Sequence, residues 1–290
     1  MFPFLPGLLM KPLLLAALAA YLVAAIHSVL AFVNKRRALQ RVSDLSVAIG
    51  FALHTAALIV DWTVDGRYPL VSLRETLSFL AWTIIAAYGV VLYRYRAQAL
   101  GVAALPLVSV LTSAAILIRS SSSGAVDQLG GVSTKWLLPT HTTLLFFAYA
   151  AFFLVFVASV MYLLQERELK LKTFSAIFHR LPSLTTVNDI ATTAATIGLT
   201  LLTLGIATGM LWSSSRYGRL WRNDPKEIFA GLTWLLYLAL IVYRSTARWR
   251  GRKAAWMGVA GFALVLCTFF GVRLMSSYHV FGWSHFPFVI

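Results

Sequence analysis

The sequence GMLWSSSRYGRLWRNDPKEIFAGLTWLLYLALIVYR, residues 209–244, joins two long apolar runs through a short polar turn. Aromatic rings and guanidinium groups are concentrated in that turn, where the surface of a membrane should lie. At its end, Asp224 is predicted to cap the next helix, with Pro225 in the first helical position and Glu227 three residues after the cap. The local pattern therefore predicts two helices joined by a turn.

Composition places this turn in a membrane protein. Hydrophobic residues make up 59% of the 290 residues, charged residues make up 12%, and the mean hydropathy is +0.78. These values predict an all-α, polytopic membrane helix bundle in a single domain, residues 1–290. We expect about eight transmembrane helices, at residues 12–33, 43–61, 74–93, 98–118, 140–164, 188–212, 227–244 and 254–275. Residues 213–226 form the predicted outer aromatic-basic loop.

The net charge of +15 would suggest a nucleic-acid partner in a soluble protein. Here most basic residues lie in short turns between apolar runs. We therefore interpret the charge as a signal of membrane topology and expect no nucleic-acid partner. The single cysteine, Cys267, excludes an intramolecular disulfide and a cysteine-based metal cluster.

The distribution of charge predicts the orientation. Of the 25 Lys and Arg residues, 15 fall in the four turns on one side of the bundle. Because basic turns stay in the cytoplasm, both termini and the aromatic-basic loop should face outward. The basic residues of that loop oppose this rule, and an acidic ligand explains them, with phospholipid head groups as the alternative. They are Arg216, Arg219, Arg222 and Lys226.

Rings and guanidinium groups together favour a flat apolar ligand edged with carboxylates, such as haem. Trp212, Tyr217 and Trp221 would pack on the porphyrin, and Arg side chains would bind its propionates. Neutral imidazoles can occupy the axial positions of the iron. No Ser-His-Asp arrangement, phosphate-binding loop or metalloprotease motif is present in the sequence.

Residues 209–244 resemble the tryptophan-rich signature of the CcsA-like cytochrome c assembly family, roughly WGxYWxWDPKExWxxxTWLxYxxYLHxR. The shared positions are Gly218, Trp221, Asp224, Pro225, Lys226, Glu227, Thr233, Trp234, Tyr237 and Arg244. Tyr217, Asn223 and Phe229 stand where the family has Trp, and Val242 stands where some members have a membrane-embedded His. A second segment, at the start of the third apolar run, also matches; its shared residues are Gly66, Pro69, Ser72, Glu75 and Trp82. For Glu75, helix capping or an ion pair is the favoured interpretation over a role in a ligand site.

The resemblance implies which residues hold haem. His141 stands at the family's outer haem-binding junction, and SYHVFGW, which contains His279, resembles its second outer His segment. The implied site has His141 and His279 as axial ligands of a non-covalent haem b, together with Trp221, Trp212, Tyr217, Arg216, Arg219, Arg222 and Asp224. His54 would belong to a second, membrane-embedded site, but Val242 removes the partner seen in some relatives.

The resemblance further implies haem delivery to an apocytochrome c on the outer face of the bacterial inner membrane, beside a second membrane assembly subunit. In that case the chain is the membrane subunit of a cytochrome c haem lyase or synthase. The alternative is a non-enzymatic relative that serves as a structural or regulatory subunit, of a membrane complex or of haem biosynthesis, without haem. A transporter is less favoured, because the sequence lacks paired intramembrane charges.

Overall fold

The computed structural model describes residues 5–65, 68, 70, 72–118, 132–172, 178–221, 223–246 and 251–270. Within these residues it contains eight long helices: α1 (Leu5–Asn34), α2 (Arg37–Asp65), α3 (Leu73–Tyr95), α4 (Gly101–Leu117), α5 (Val132–Leu171), α6 (Leu184–Tyr217), α7 (Pro225–Thr246) and α8 (Arg252–Phe270). All eight are long and apolar enough to cross a membrane. The predicted all-α, eight-helix membrane bundle is confirmed. The side on which the termini lie stays a prediction.

Several helices extend beyond the apolar runs. Helix α6 continues through residues 213–217, which we expected in the aromatic-basic loop, and ends because Gly218 adopts the left-handed conformation, with φ of 69°. Helix α5 begins at Val132, although it contains Pro139. Hydroxyl groups of three threonines in this turn donate to carbonyl oxygens around the proline. Because α6 continues to Tyr217, the turn between α6 and α7 is shorter than the sequence predicts.

Helix α5 is the centre of the bundle. In its most apolar stretch, 72% of the residues are buried, whereas the corresponding figure for α7 is 22%. It packs against α3, α6 and α8, while α1 and α2 form a hairpin that packs on α4. Most side chains in this stretch of α5 are thus held from several directions.

Glycines let the backbone of α6 approach α5 closely. A Cβ atom on Gly198 would lie 2.5 Å from the ring of Phe152, and one on Gly205 would lie 2.7 Å from Leu145. Close backbone approach through small residues is how helices associate in lipid, where water supplies no hydrophobic driving force. The spacing of these glycines fixes α6 against α5 along the half of α6 that carries the candidate site.

Candidate functional site

His141 is held by a contact that crosses from α5 to α6. Its Nδ1 donates a hydrogen bond to the backbone oxygen of Gly205, at 2.7 Å. A carbonyl oxygen only accepts, so Nδ1 carries a proton, and in the neutral imidazole Nε2 then carries the lone pair. This tautomer suits an iron ligand, because metal-binding histidines usually give their other N–H to a carbonyl or carboxylate.

Gly209 provides the surface on which this imidazole lies. A Cβ atom at position 209 would fall 2.6 Å from Cε1 and 2.7 Å from Nδ1 of His141. Any other residue would push the ring away or separate α6 from α5. The half-buried imidazole is therefore confined between two helices. An imidazole nitrogen is also a ligand that suits a haem iron.

Trp212 follows Gly209 by three residues, so it lies on nearly the same face of α6. Its indole is half-buried, and its Nε1 is buried with no hydrogen-bond partner among the described residues. The ring stands edge-on to Tyr217, with 5.9 Å between centroids and an angle of 85°. The structure thus places Trp212 and Tyr217 on the last turns of α6, between Gly209, which contacts His141, and the C-terminal end of the helix.

The last turn of α6 and the loop after it expose three further predicted residues. Arg216 and Arg219 are exposed, and the backbone oxygen of Arg219 accepts a hydrogen bond from Ser213 that closes the turn. The indole of Trp221 is 41% exposed, and its Nε1 donates to Asn223 at 2.9 Å. Cationic groups and a partly exposed ring therefore surround the end of α6, as a carboxylate-bearing ligand requires.

Asp224 caps α7, as predicted. Its Oδ1 accepts from the backbone N of Lys226 at 2.9 Å, and Glu227 reaches back to the backbone N of Asp224 at 3.4 Å. The side chain is buried, at 6% exposure. These contacts explain Asp224 by the start of the helix, and its predicted place in a cofactor site remains untested.

Asp224→Ala should lower the free energy of unfolding by about 1 kcal/mol, because the backbone N–H of Lys226 in the first turn of α7 loses the carboxylate that accepts from it. Asp224→Asn keeps the cap and should stay near the wild type. Thermal unfolding in detergent measures both. A loss of haem in the Asn variant at unchanged stability would contradict a purely capping role.

His54 lies at a different place, in the middle of α2. It is fully buried, with Nδ1 3.3 Å from the hydroxyl oxygen of Tyr21 and Nε2 2.9 Å from Oγ of Ser78. Both ring nitrogens therefore face protein hydroxyls, on helices α1 and α3. No group of three metal-binding side chains occurs within the described part of the chain. The assignment of His54 to a second haem site, which Val242 disfavours, stays a prediction.

The segment between α2 and α3 is tied to α5 next to His141. The hydroxyl of Tyr68 hydrogen-bonds the hydroxyl of Thr143, and burial raises the pKa of Tyr68 despite that bond, so the phenol stays protonated. Ser72 and Glu75 form a reciprocal capping box at the start of α3, and Arg74 pairs with Asp61 and Glu75. The favoured interpretation of Glu75 as a capping and ion-pairing residue agrees with this geometry.

Two predicted site residues, His279 and Arg222, lie outside the described residues. Sequence reasoning also missed Gly205 and Gly209, which hold His141. The available signal was the spacing of Gly198, Gly205 and Gly209 along one face of α6, but the sequence did not reveal which helix that face meets.

Known proteins are similar to this chain over the region that contains His141 and α6. The profile of a family described as "Cytochrome C assembly protein" matches residues 70–279, a range that includes His141 and ends at His279 but leaves out His54. A protein named cytochrome c biogenesis protein CcsA, from Synechococcus sp. (strain RCC307), is 28% identical over 96% of this chain and 98% of its own length. One of the same name, from Prochlorococcus marinus (strain MIT 9301), is 29% identical over 80% of this chain and 81% of its own.

A solved structure named "Cytochrome c Heme Lyase CcmF" is similar to this fold, with a TM-score of 0.66. The sequence identity is 16%, so the likeness concerns the fold alone. It covers 91% of this chain but 46% of that structure's chain, which means that this chain spans less than half of its length.

Proposed function

The chain belongs to the cytochrome c assembly protein family, and from that premise we propose that this multi-pass membrane protein binds haem beside His141 and presents it to an apocytochrome c. The observation that carries the proposal is the way in which the imidazole of His141 is held. Its Nδ1–H is committed to Gly205, and its ring is confined against Gly209. This arrangement orients a neutral histidine as a haem ligand requires.

Each predicted site residue has a part in this proposal. His141, through Nε2, and His279 would hold the iron of a non-covalent haem b. Trp212, Tyr217 and Trp221 offer rings to the porphyrin, and the buried Nε1 of Trp212 offers a donor. Arg216, Arg219 and Arg222 bind the propionates, and Asp224 holds the turn by capping α7.

Haem supplies vinyl groups to which the cysteine thiols of an apocytochrome add. The chain contributes position rather than acid-base chemistry. His141 would hold the iron, the aromatic side chains would contact the porphyrin, and the Arg side chains would bind the propionates. Holding two reactants in one orientation is itself a large catalytic contribution.

We further propose the bacterial inner membrane as the location, with the haem-binding end on the periplasmic side, because most basic residues lie in the turns at the other end. The chain would act as the membrane subunit of a cytochrome c haem lyase, together with a second membrane assembly subunit. A structural or regulatory role without haem is not favoured, because the relatives named as biogenesis proteins align along most of this chain.

The test is a visible absorption spectrum of the detergent-purified protein, oxidised and then reduced with dithionite. We expect the sharp reduced-state bands of a six-coordinate haem in the wild type, and their loss in a His141→Ala, His279→Ala double variant. His27→Ala is the matched control. Its Nδ1 lies 2.8 Å from the carbonyl oxygen of Val23 in its own helix.

Haem content per protein should be measured by extraction in the same samples. A featureless wild-type spectrum after growth with ample haem would contradict the proposal. Equal loss in the His27 control would also contradict it, since that histidine lies on α1 and has no part in the proposed site. In a strain that lacks this gene, holocytochrome c should disappear and return with the wild-type chain.

A further inference from the structure

A cavity of about 640 Å³ opens at the end of the bundle that is far from His141. It lies between the end of α1, the start of α2, the segment after α3 and the start of α6. Ser183, at its edge, caps α6, whereas Gly209 follows 26 residues later on the same helix, about 39 Å away at 1.5 Å per residue. The cavity is thus separate from the proposed haem site.

Four lysine and arginine side chains line this cavity, and we refer to them as the basic basin: Lys35, Arg37, Arg96 and Arg180. Asp44 is the one carboxylate among the described residues of the lining; it accepts a hydrogen bond from Gln98 at 3.0 Å and interacts electrostatically with Arg96. His179, two glutamines and the hydroxyl groups of serine, threonine and tyrosine residues complete the polar lining. The basic basin therefore has an excess of positive charge and many hydrogen-bond donors.

Helix dipoles and membrane orientation account for only part of this cluster. Lys35 and Arg96 follow the C-terminal ends of α1 and α3, where a cation is favourable. Arg37, however, is the first residue of α2, where the dipole disfavours a cation. Arg180 lies on a separate short turn, and its Nε is buried with no partner among the described residues. The orientation of the protein in the membrane requires basic residues in the turns on one side. It does not require that their side chains line the same cavity.

The backbone at two of these positions is strained. Lys35 and Arg96 have φ values of 54° and 53°, in the left-handed region that favours glycine. Both residues nevertheless carry long cationic side chains that border the same cavity. Strain of this kind persists where the surrounding structure imposes it, and it clusters at binding sites.

We propose that the basic basin binds a phosphate anion, either the phosphate of an anionic phospholipid head group or a soluble phosphate. Guanidinium forks match phosphate oxygens, and hydroxyl groups supply further donors. Basic pockets between membrane helices on the cytoplasmic side are suited to lipid head groups. The basin lies at an end of the bundle, so a head group reaches it from the membrane boundary.

The experiment uses the full-length protein, purified in a neutral detergent and stripped of lipid. It is titrated with phosphatidylglycerol in mixed micelles and, separately, with inorganic phosphate. Bound lipid is counted by native mass spectrometry, and the thermal midpoint is recorded in both titrations. We expect Arg96→Gln, Arg180→Gln to weaken binding by roughly tenfold, because two cations near the phosphate are lost. The titration in which this loss occurs identifies the source of the anion.

The matched control, Arg41→Gln, Arg252→Gln, removes two exposed cations at the same end that do not line the cavity. It should bind like the wild type. A second variant, Lys35→Gln, Arg37→Gln, changes exposed residues on the opposite wall and should show the same loss if the first variant folds poorly. Equal weakening in the control, equal binding of phosphatidylcholine, or no binding of either ligand would overturn the proposal.

Discussion

Gly209→Ala should remove most of the bound haem, although this glycine supplies no ligand atom. The added Cβ would lie 2.6 Å from Cε1 and 2.7 Å from Nδ1 of His141. A normal carbon contact is about 3.5–4.0 Å, so the ring has to move by roughly 1 Å or α6 has to move away from α5. Either movement breaks the 2.7 Å hydrogen bond to Gly205. Haem per protein and the reduced spectrum measure the result.

Two other glycine substitutions separate this effect from general loss of packing. Gly198→Ala places a Cβ 2.5 Å from Phe152 on the same helix pair, so it should lower the thermal midpoint while haem content stays near normal. Gly89→Ala meets no atom within 4 Å and should retain both haem and stability. Full haem content in Gly209→Ala, or equal haem loss in Gly198→Ala, would contradict the role given to position 209.

Features that depend on neighbouring residues could be predicted from the sequence. The cap of α7 is such a feature, because Asp224 and Glu227 accept from backbone N–H groups of the same turn, and Pro225 has no N–H that needs a partner. Ser72 and Glu75 do the same for α3. The eight helices follow from long apolar runs, since backbone groups in lipid must be satisfied within one segment.

Features that depend on distant residues could not be predicted. His141 was identified as a candidate ligand, but its hydrogen bond joins it to a carbonyl 64 residues away, and no local pattern encodes that partner. The extents of α5 and α6 also escaped prediction. Pro139 and the serines before Tyr217 are typical of turns, yet both lie within helices whose neighbours hold them. Tertiary packing thus overrode local preference near the site.

Arg74→Leu should destabilise the fold by about 3–5 kcal/mol, because it removes the cation from a buried group of charges. The Nη2 atom of Arg74 lies 3.1 Å from Oδ1 of Asp61 and 3.6 Å from Oε1 of Glu75. The three side chains are 11%, 11% and 2% exposed, so little water would replace the lost partner. Since this group fixes the start of α3, the Tyr68–Thr143 contact beside His141 should loosen with it.

Lys170→Leu provides the matched control, since it also removes a cation from an ion pair. Lys170 lies 2.7 Å from Glu166, but its side chain is 61% exposed, so the loss should stay within about 0.5 kcal/mol. Adding Asp61→Leu to Arg74→Leu removes one of the two stranded carboxylates, which should recover part of the stability. Urea unfolding in mixed micelles measures all four proteins. Equal effects at Arg74 and Lys170 would contradict burial as the cause, because the two pairs differ chiefly in their exposure to water.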